Sequence, residues 1–412
     1  MTATFFNNLK FTQRILMYLL PFALVLGPFF SDLFAIFVSI IFIILSIKEK
    51  KWHYYKHPLI IIFWTWCIYL ILLSILSQNP TLSLESSLFH WRFGFFAIAV
   101  WYIIDNDSKF VKNFVLSLCF VFVGVLLDSY IQFFTGYNIL GFPYGGVRLS
   151  GFFNEELILG SFLSRLLPIL LALMILVFFD SRPFILITTT ILILTNLLVF
   201  LSGERAAFFY LLLSTFIIIF FIKKWKFARI IMIILSFLSI LFFTLTFGNV
   251  KSRMIDDTLR ETNIFGNNVN FFSPLHQAHY KSAFKMFTDN PLIGVGPKIF
   301  REACFEKKYF VDMGCANHPH NTYIQLLAET GLIGTIPVVA ALFAICFIFF
   351  RHIVSIIRLK SRYLSDFQVC LYSAILITLW PIIPTGNFFH NWLNVIYFLP
   401  LGFLLHSYNK KN

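Results

Sequence analysis

The stretch 315–334, CANHPHNTYIQLLAETGLIG, concentrates residue types that move protons and hold anions. Thr322 followed three residues later by Gln325 is a capping-box pattern, which predicts a short helix that starts there and stops before Gly331. His320 and Asn321 then stand just ahead of a helix N-terminus. Its unpaired N–H groups and positive dipole end favour a phosphate nearby and disfavour protonation of an adjacent imidazole. A neutral histidine can accept a proton. The predicted helix, 323–330, is too short to span a bilayer and carries Glu329. It is expected to lie at the membrane surface, with Gly331 and Gly334 letting the next segment pack closely.

Upstream, 273–288 has the spacing of an amphipathic helix that carries His276, Tyr280, Phe284 and Phe287. The turn Asp289, Asn290, Pro291 ends it, because a residue before proline is driven from the helical region. Gly294 and Gly296 then mark a tight backbone. Arg148 and Arg205 stand in two short connections between apolar stretches. Plainer readings exist for each group. Arg205 also fits a charged anchor at a span end, although its turn lies on the wrong side for one. His318 and His320 also fit surface histidines, or a zinc cluster with Cys304 and Cys315, although the spacing matches no common finger. The same two cysteines fit either a disulfide in an oxidising compartment or two free thiols.

The elements that must position these groups are membrane spans. The chain is 59% hydrophobic and 12% charged, with 55 Phe, far outside the usage of a water-soluble domain. Twelve apolar stretches are long enough for a hydrocarbon layer of about 30 Å: 15–30, 32–47, 58–76, 88–104, 113–135, 157–179, 184–201, 206–222, 230–247, 331–350, 367–384 and 391–405. The first two meet at Ser31 so tightly that a hairpin or a re-entrant pair both fit. Residues 1–14 lead into the first span without a small-residue cleavage site, so that span is expected to be its own insertion signal. Cys67, Cys119, Cys346 and Cys370 lie in spans and read as small buried apolar residues.

Lys and Arg set the orientation, because short loops rich in them stay in the cytoplasm. Alternate connections carry Lys10 and Arg14; Lys48, Lys50, Lys51 and Lys56; Lys109 and Lys112; Arg182; Lys223, Lys224, Lys226 and Arg229; Arg351, Arg358, Lys360 and Arg362; and Lys410 and Lys411. The opposite short loops carry only Arg148 and Arg205. Both termini are therefore expected in the cytoplasm and the long loop outside it. That loop's nine basic and eight acidic residues do not disturb the assignment, since long translocated segments escape the charge rule. The net charge of +13 is mostly this topological signal and gives no case for nucleic acid. The expected organisation is a membrane bundle over 1–247, an outer loop over 248–330, which the resemblance given below implies is periplasmic and catalytic, and a closing bundle over 331–412. No internal repeat is visible, which weakens a lipid-glycan transporter. Arg92 and Arg165 lie inside spans, where charge is normally paired or faces a cavity, and Asp128 is a partner for either.

His320, Asn321, nine intervening residues, then Gly331 and Gly334 resemble the loop motif of the bacterial O-antigen ligase and polymerase family. Asn290 to Gly296 resemble that family's loop turn, Ser202 to Ala206 its arginine turn, and Arg148, Ser150, Gly151 and Phe153 its earlier periplasmic arginine segment. One position departs: where the family often has an arginine in the loop helix, this chain has His276. Arg253 and Arg260 are then the arginines open to replace it. The resemblance implies an all-α polytopic fold of the GT-C kind in the bacterial inner membrane. It also implies transfer of a polyprenyl-pyrophosphate-linked glycan to an acceptor sugar, such as lipid A core, without nucleotide, metal or cofactor. Within it, Arg205 and Arg148 would bind pyrophosphate, because a guanidinium is a permanently charged planar fork. His320 would be the base, with His318 the alternate. Asn321, Gly331, Gly334, Gly294 and Gly296 would support the motif. An O-antigen or exopolysaccharide polymerase, with a lipid-linked acceptor, fits the same residues.

Overall fold

The structure is a computed structural model that describes residues 3–178, 181–264, 269–358 and 361–409. Phe179, Lys360, Lys410 and Lys411, used above for span limits and orientation, lie outside the described residues. The described residues form helices and no strand, apart from an isolated bridge between Tyr137 and Pro143. In lipid a helix satisfies every backbone N–H and C=O within one segment, so this composition dictates that outcome.

The long helices are α1 (Ala3–Leu26), α2 (Pro28–Lys48), α3 (Pro58–Ile75), α4 (Arg92–Asn106), α5 (Phe110–Thr135), α6 (Leu159–Val177), α7 (Arg182–Leu201), α8 (Arg205–Phe221) and α9 (Lys226–Thr246). After these come α10 (Pro274–Asp289), α11 (Thr322–Arg358), α12 (Asp366–Thr378) and α13 (Asn391–Asn409). Among the described residues, nine helices are long and apolar enough to cross a membrane. The chain is thus a multi-pass α-helical membrane protein. The twelve expected stretches include α8 and α12, which are apolar but shorter, and α13, which begins on polar Asn391.

Several helices start on proline, where the missing N–H is no loss: Pro28, Pro58 and Pro274. The break between the first two helices falls at Gly27, not Ser31, whose hydroxyl instead donates to the carbonyls of Gly27 and Pro28 at 3.1 Å. At the centre stands α6, buried along almost its whole length, while α9 buries only Met232 and Ser236 and lies at the periphery. Cys346 is exposed and Cys119 half-buried, so only Cys67 and Cys370 fit the buried apolar reading.

The two charges inside spans differ. Arg92 makes a forked pair with Asp32, at 2.9 and 3.0 Å, and reaches Asn391. Asp128 pairs with neither arginine, because the turn after α5 folds back and gives it Asn138 Nδ2 and the Ile139 N–H.

The segment between α9 and α11 builds a small core from Ala283, Met286, Val295, Ile299, Phe300, Ala303, Cys304 and Tyr309, joined by Ala328 of α11. Cys304 and Cys315 form a disulfide with Cα atoms 5.3 Å apart, which uses the sulfurs that the zinc reading required. Helix α10 begins one residue later than expected, capped by Ser273. Its buried face is Ala278, His279, Ser282, Ala283 and Met286, so the expected stripe is rotated and Phe284 is exposed.

Candidate functional site

The N-terminus of α11 organises the site. Asn321, not Thr322, is its cap: the Asn321 side-chain oxygen accepts from the N–H groups of Tyr323 and Ile324 at 3.0 and 3.1 Å. Its amide donates to the Pro381 carbonyl at 2.8 Å, tying the cap to the α12–α13 connection. The expected capping box does not form, because both members have tertiary partners. Thr322 bonds Thr385, while Gln325 donates to Asn387 and Glu329 and accepts from the Phe388 N–H. Glu329 is fully buried and not at a surface.

The first helical stretch of α11 stops before Gly331, as expected: Gly331 is non-helical, at φ 62° and ψ −167°, and a second helical stretch runs on beyond this kink to Arg358. The turn that holds Gly294 and Gly296 fills the bend. Val295 and Gly296 N–H groups donate to the carbonyls of Ala328 and Glu329, and those of Leu332 and Ile333 to Pro291 and Leu292. Two backbones in such contact leave no room for a side chain: a Cβ on Gly331 would strike Leu292, and one on Gly294 would strike Glu329. Gly334 presents its carbonyl to the Trp66 indole N–H at 2.8 Å.

His320 immediately precedes the cap in the left-handed region, φ 57°, a conformation costly for a residue with a Cβ. Its carbonyl accepts from the Thr385 N–H at 2.8 Å, which holds it there. The ring lies 4.1 Å from that of His318, 5.4 Å from His279 and 5.6 Å from His276, centroid to centroid. Burial pushes His320 down to about 4, helped by His276 and His279. Burial, followed by the closeness of His320, pushes His318 down to about 3. The imidazole is therefore held neutral by desolvation and the neighbouring rings. Among the described residues no group of three His, Cys, Asp or Glu is placed to hold a metal ion.

Arg205 opens α8 at the three-residue turn Ser202 to Glu204 and grips both oxygens of Glu261 at 2.9 Å. Arg205 and Glu261 are close enough to His276 to act on its charge. Arg253 donates to the Gly203 carbonyl at 3.2 Å. Gly203 is wedged where a Cβ would meet the Val147 carbonyl at 2.5 Å and the stems of Arg148 and Arg253. The structure therefore brings Arg148, Arg205 and Arg253 around one turn. Burial and the nearby Arg205 and Arg148 hold the Arg253 guanidinium below its ordinary range. Arg260 points away, exposed beside Asp257. Glu204 is buried, accepts from Gly160 and Ser161 N–H groups at the start of α6, and lies 3.9 Å from Arg148. Burial pushes its carboxyl up to about 7 against the pull of Arg148.

His279 escaped the sequence reading because the stripe through His276 and Tyr280 put it on another face. Its spacing of three from His276 was the available signal. Glu261 carried no signal, since its pairing with Arg205 spans 56 residues.

No curated protein matches the chain. The model of a family described as O-antigen ligase matches residues 188–339, with Arg148 upstream of the match. The matched segment carries the Arg205 turn, α10, His318, His320, Asn321 and the bend at Gly331, and over these residues the chain is similar to the O-antigen ligase family.

Proposed function

We propose that this protein is a membrane glycosyltransferase of the O-antigen ligase type. It would take a polyprenyl-pyrophosphate-linked glycan and pass it to an acceptor sugar, lipid A core or similar, on the periplasmic face of the bacterial inner membrane. The observation that carries the reading is one juxtaposition. A neutral His320, held in a strained backbone at a helix N-terminus, is linked through His276 to a turn lined by Arg205, Arg253 and Arg148.

In the transfer, His320 accepts the proton of the acceptor hydroxyl as that oxygen bonds to the anomeric carbon. The bond from that carbon to the pyrophosphate oxygen breaks, and the pyrophosphate leaves with the electron pair. Arg205, Arg148 and Arg253 hold its growing charge, which is where charge-assisted hydrogen bonds are strongest. The α11 N-terminus adds N–H dipoles of the same sign. No step calls for a metal or a nucleotide.

Arg205→Lys is the test, since it keeps the charge and loses the planar fork. With purified protein, lipid-linked donor and acceptor, transfer is expected to fall about 10- to 100-fold, the worth of one charged hydrogen bond. Full activity in the lysine variant would reduce Arg205 to a membrane-surface anchor.

A further inference from the structure

Arg165 stands on the second turn of α6, roughly 9 Å from the start of that helix at a rise of 1.5 Å per residue, and is 3% exposed. Its guanidinium contacts the Ser161 carbonyl and hydroxyl, hydrogen-bonds the Tyr397 side chain and lies 4.6 Å from the centre of the Tyr210 ring. Its Nε has no partner, and among the described residues no carboxylate comes within ion-pair distance. Arg92 shows what a structural intramembrane arginine looks like here, with both arms on Asp32. A buried cation without an anion is expensive and is kept where a charge has work to do.

The surroundings of Arg165 lead to the candidate site. Ser161, which holds its guanidinium, also gives its N–H to Glu204, the neighbour of Arg205. Tyr210, which covers its face, has its hydroxyl 3.3 Å from the Pro384 carbonyl, and the next N–H, of Thr385, holds His320. Glu204 feels both Arg148 and Arg165, so a single carboxylate serves two guanidinium groups. One carboxylate beside two guanidinium groups leaves a surplus of positive charge.

We propose that Arg165 is a positioning residue for the donor: an unneutralised charge beneath the arginine-lined turn that draws the pyrophosphate in without touching it. This rests on the donor reading above. The charge acts through the low-dielectric interior, so its sign matters and its shape does not. Lysine should therefore replace it, unlike at Arg205. At about 10 Å and an effective dielectric near 20, one charge changes anion affinity about tenfold.

The test uses the purified full chain with inorganic pyrophosphate as probe, read as the rise in melting temperature with concentration. Wild type and Arg165→Lys should respond alike, and Arg165→Met should need about tenfold more pyrophosphate. Arg92→Met serves as the structural control and should lower the resting melting temperature with the pyrophosphate response intact. If Arg165→Met responds as wild type does, while Arg205→Ala does not respond, Arg165 has no part in the site and the donor reading survives. If Arg165→Lys fails together with Arg165→Met, the role is local packing and the inference is overturned. If wild type itself does not respond, the anion site and this inference fall together.

Discussion

At His320 the burial that makes a base available also weakens it. An imidazole lowered to about 4 is neutral throughout the physiological range, whereas an ordinary histidine would be partly protonated just below pH 7. Its depressed value means that the proton-accepting form persists as pH falls through about 6.5 and is lost only near the folded value. The acid limb of kcat/KM is therefore expected well below about pH 6, measured in a Glu204→Gln background that removes a neighbour titrating near neutrality. A limb at about 6.5 would show that His320 titrates as a solvated side chain. The sequence made His320 and Asn321 legible because the cap lies within two residues of the groups it positions. It also offered His318, two residues away, and His276, but not His279 or the packing of α10 that sets its two histidines against His320.

Among the elements, the bend in α11 shows what a linear pattern can and cannot give. Gly331 and Gly334 announced close packing and a helix stop, and both are found; what the pattern did not give is the second helix that starts straight after the kink. The hydrogen bonds that a helix end would leave open are taken by the turn 290–296, so the chain resumes its helix beyond the bend. Gly331→Ala adds a Cβ in a left-handed backbone against the Leu292 carbonyl, and no rotation of a side chain relieves it. It is expected to cost about 2–4 kcal/mol, seen as a lower melting temperature, with transfer lost as His320 is displaced. Gly124→Ala, in the open on α5, should leave the melting temperature within a degree or two of wild type, about the scale of a neutral surface change. No change with Gly331→Ala would remove the bend from the account. The capping box failed for a related reason: Gln325 is used by Asn387 and Phe388, more than sixty positions on.

For the molecule as a whole, hydropathy was enough to place the long helices, because each span is fixed by its own composition and not by distant partners. Partners were another matter. Asp32 joins Arg92 across 60 residues and Glu261 joins Arg205 across 56, and neither pairing has a local signature. The architecture sets a small disulfide-bonded core on a bundle of apolar helices, and His276 of α10 connects the N-terminus of α11 with the Arg205 turn. Proton transfer at that junction is the central step, so the decisive measurement separates binding from chemistry in His320 variants. His320→Ala, and His320→Asn, which tolerates the left-handed backbone better, are assayed for donor binding and for glycan transfer independently. Donor binding is expected at the wild-type level, with transfer lowered about 10²- to 10⁴-fold, and a smaller loss in His318→Ala. Transfer at the normal rate, or a loss lying wholly in donor binding, would contradict it.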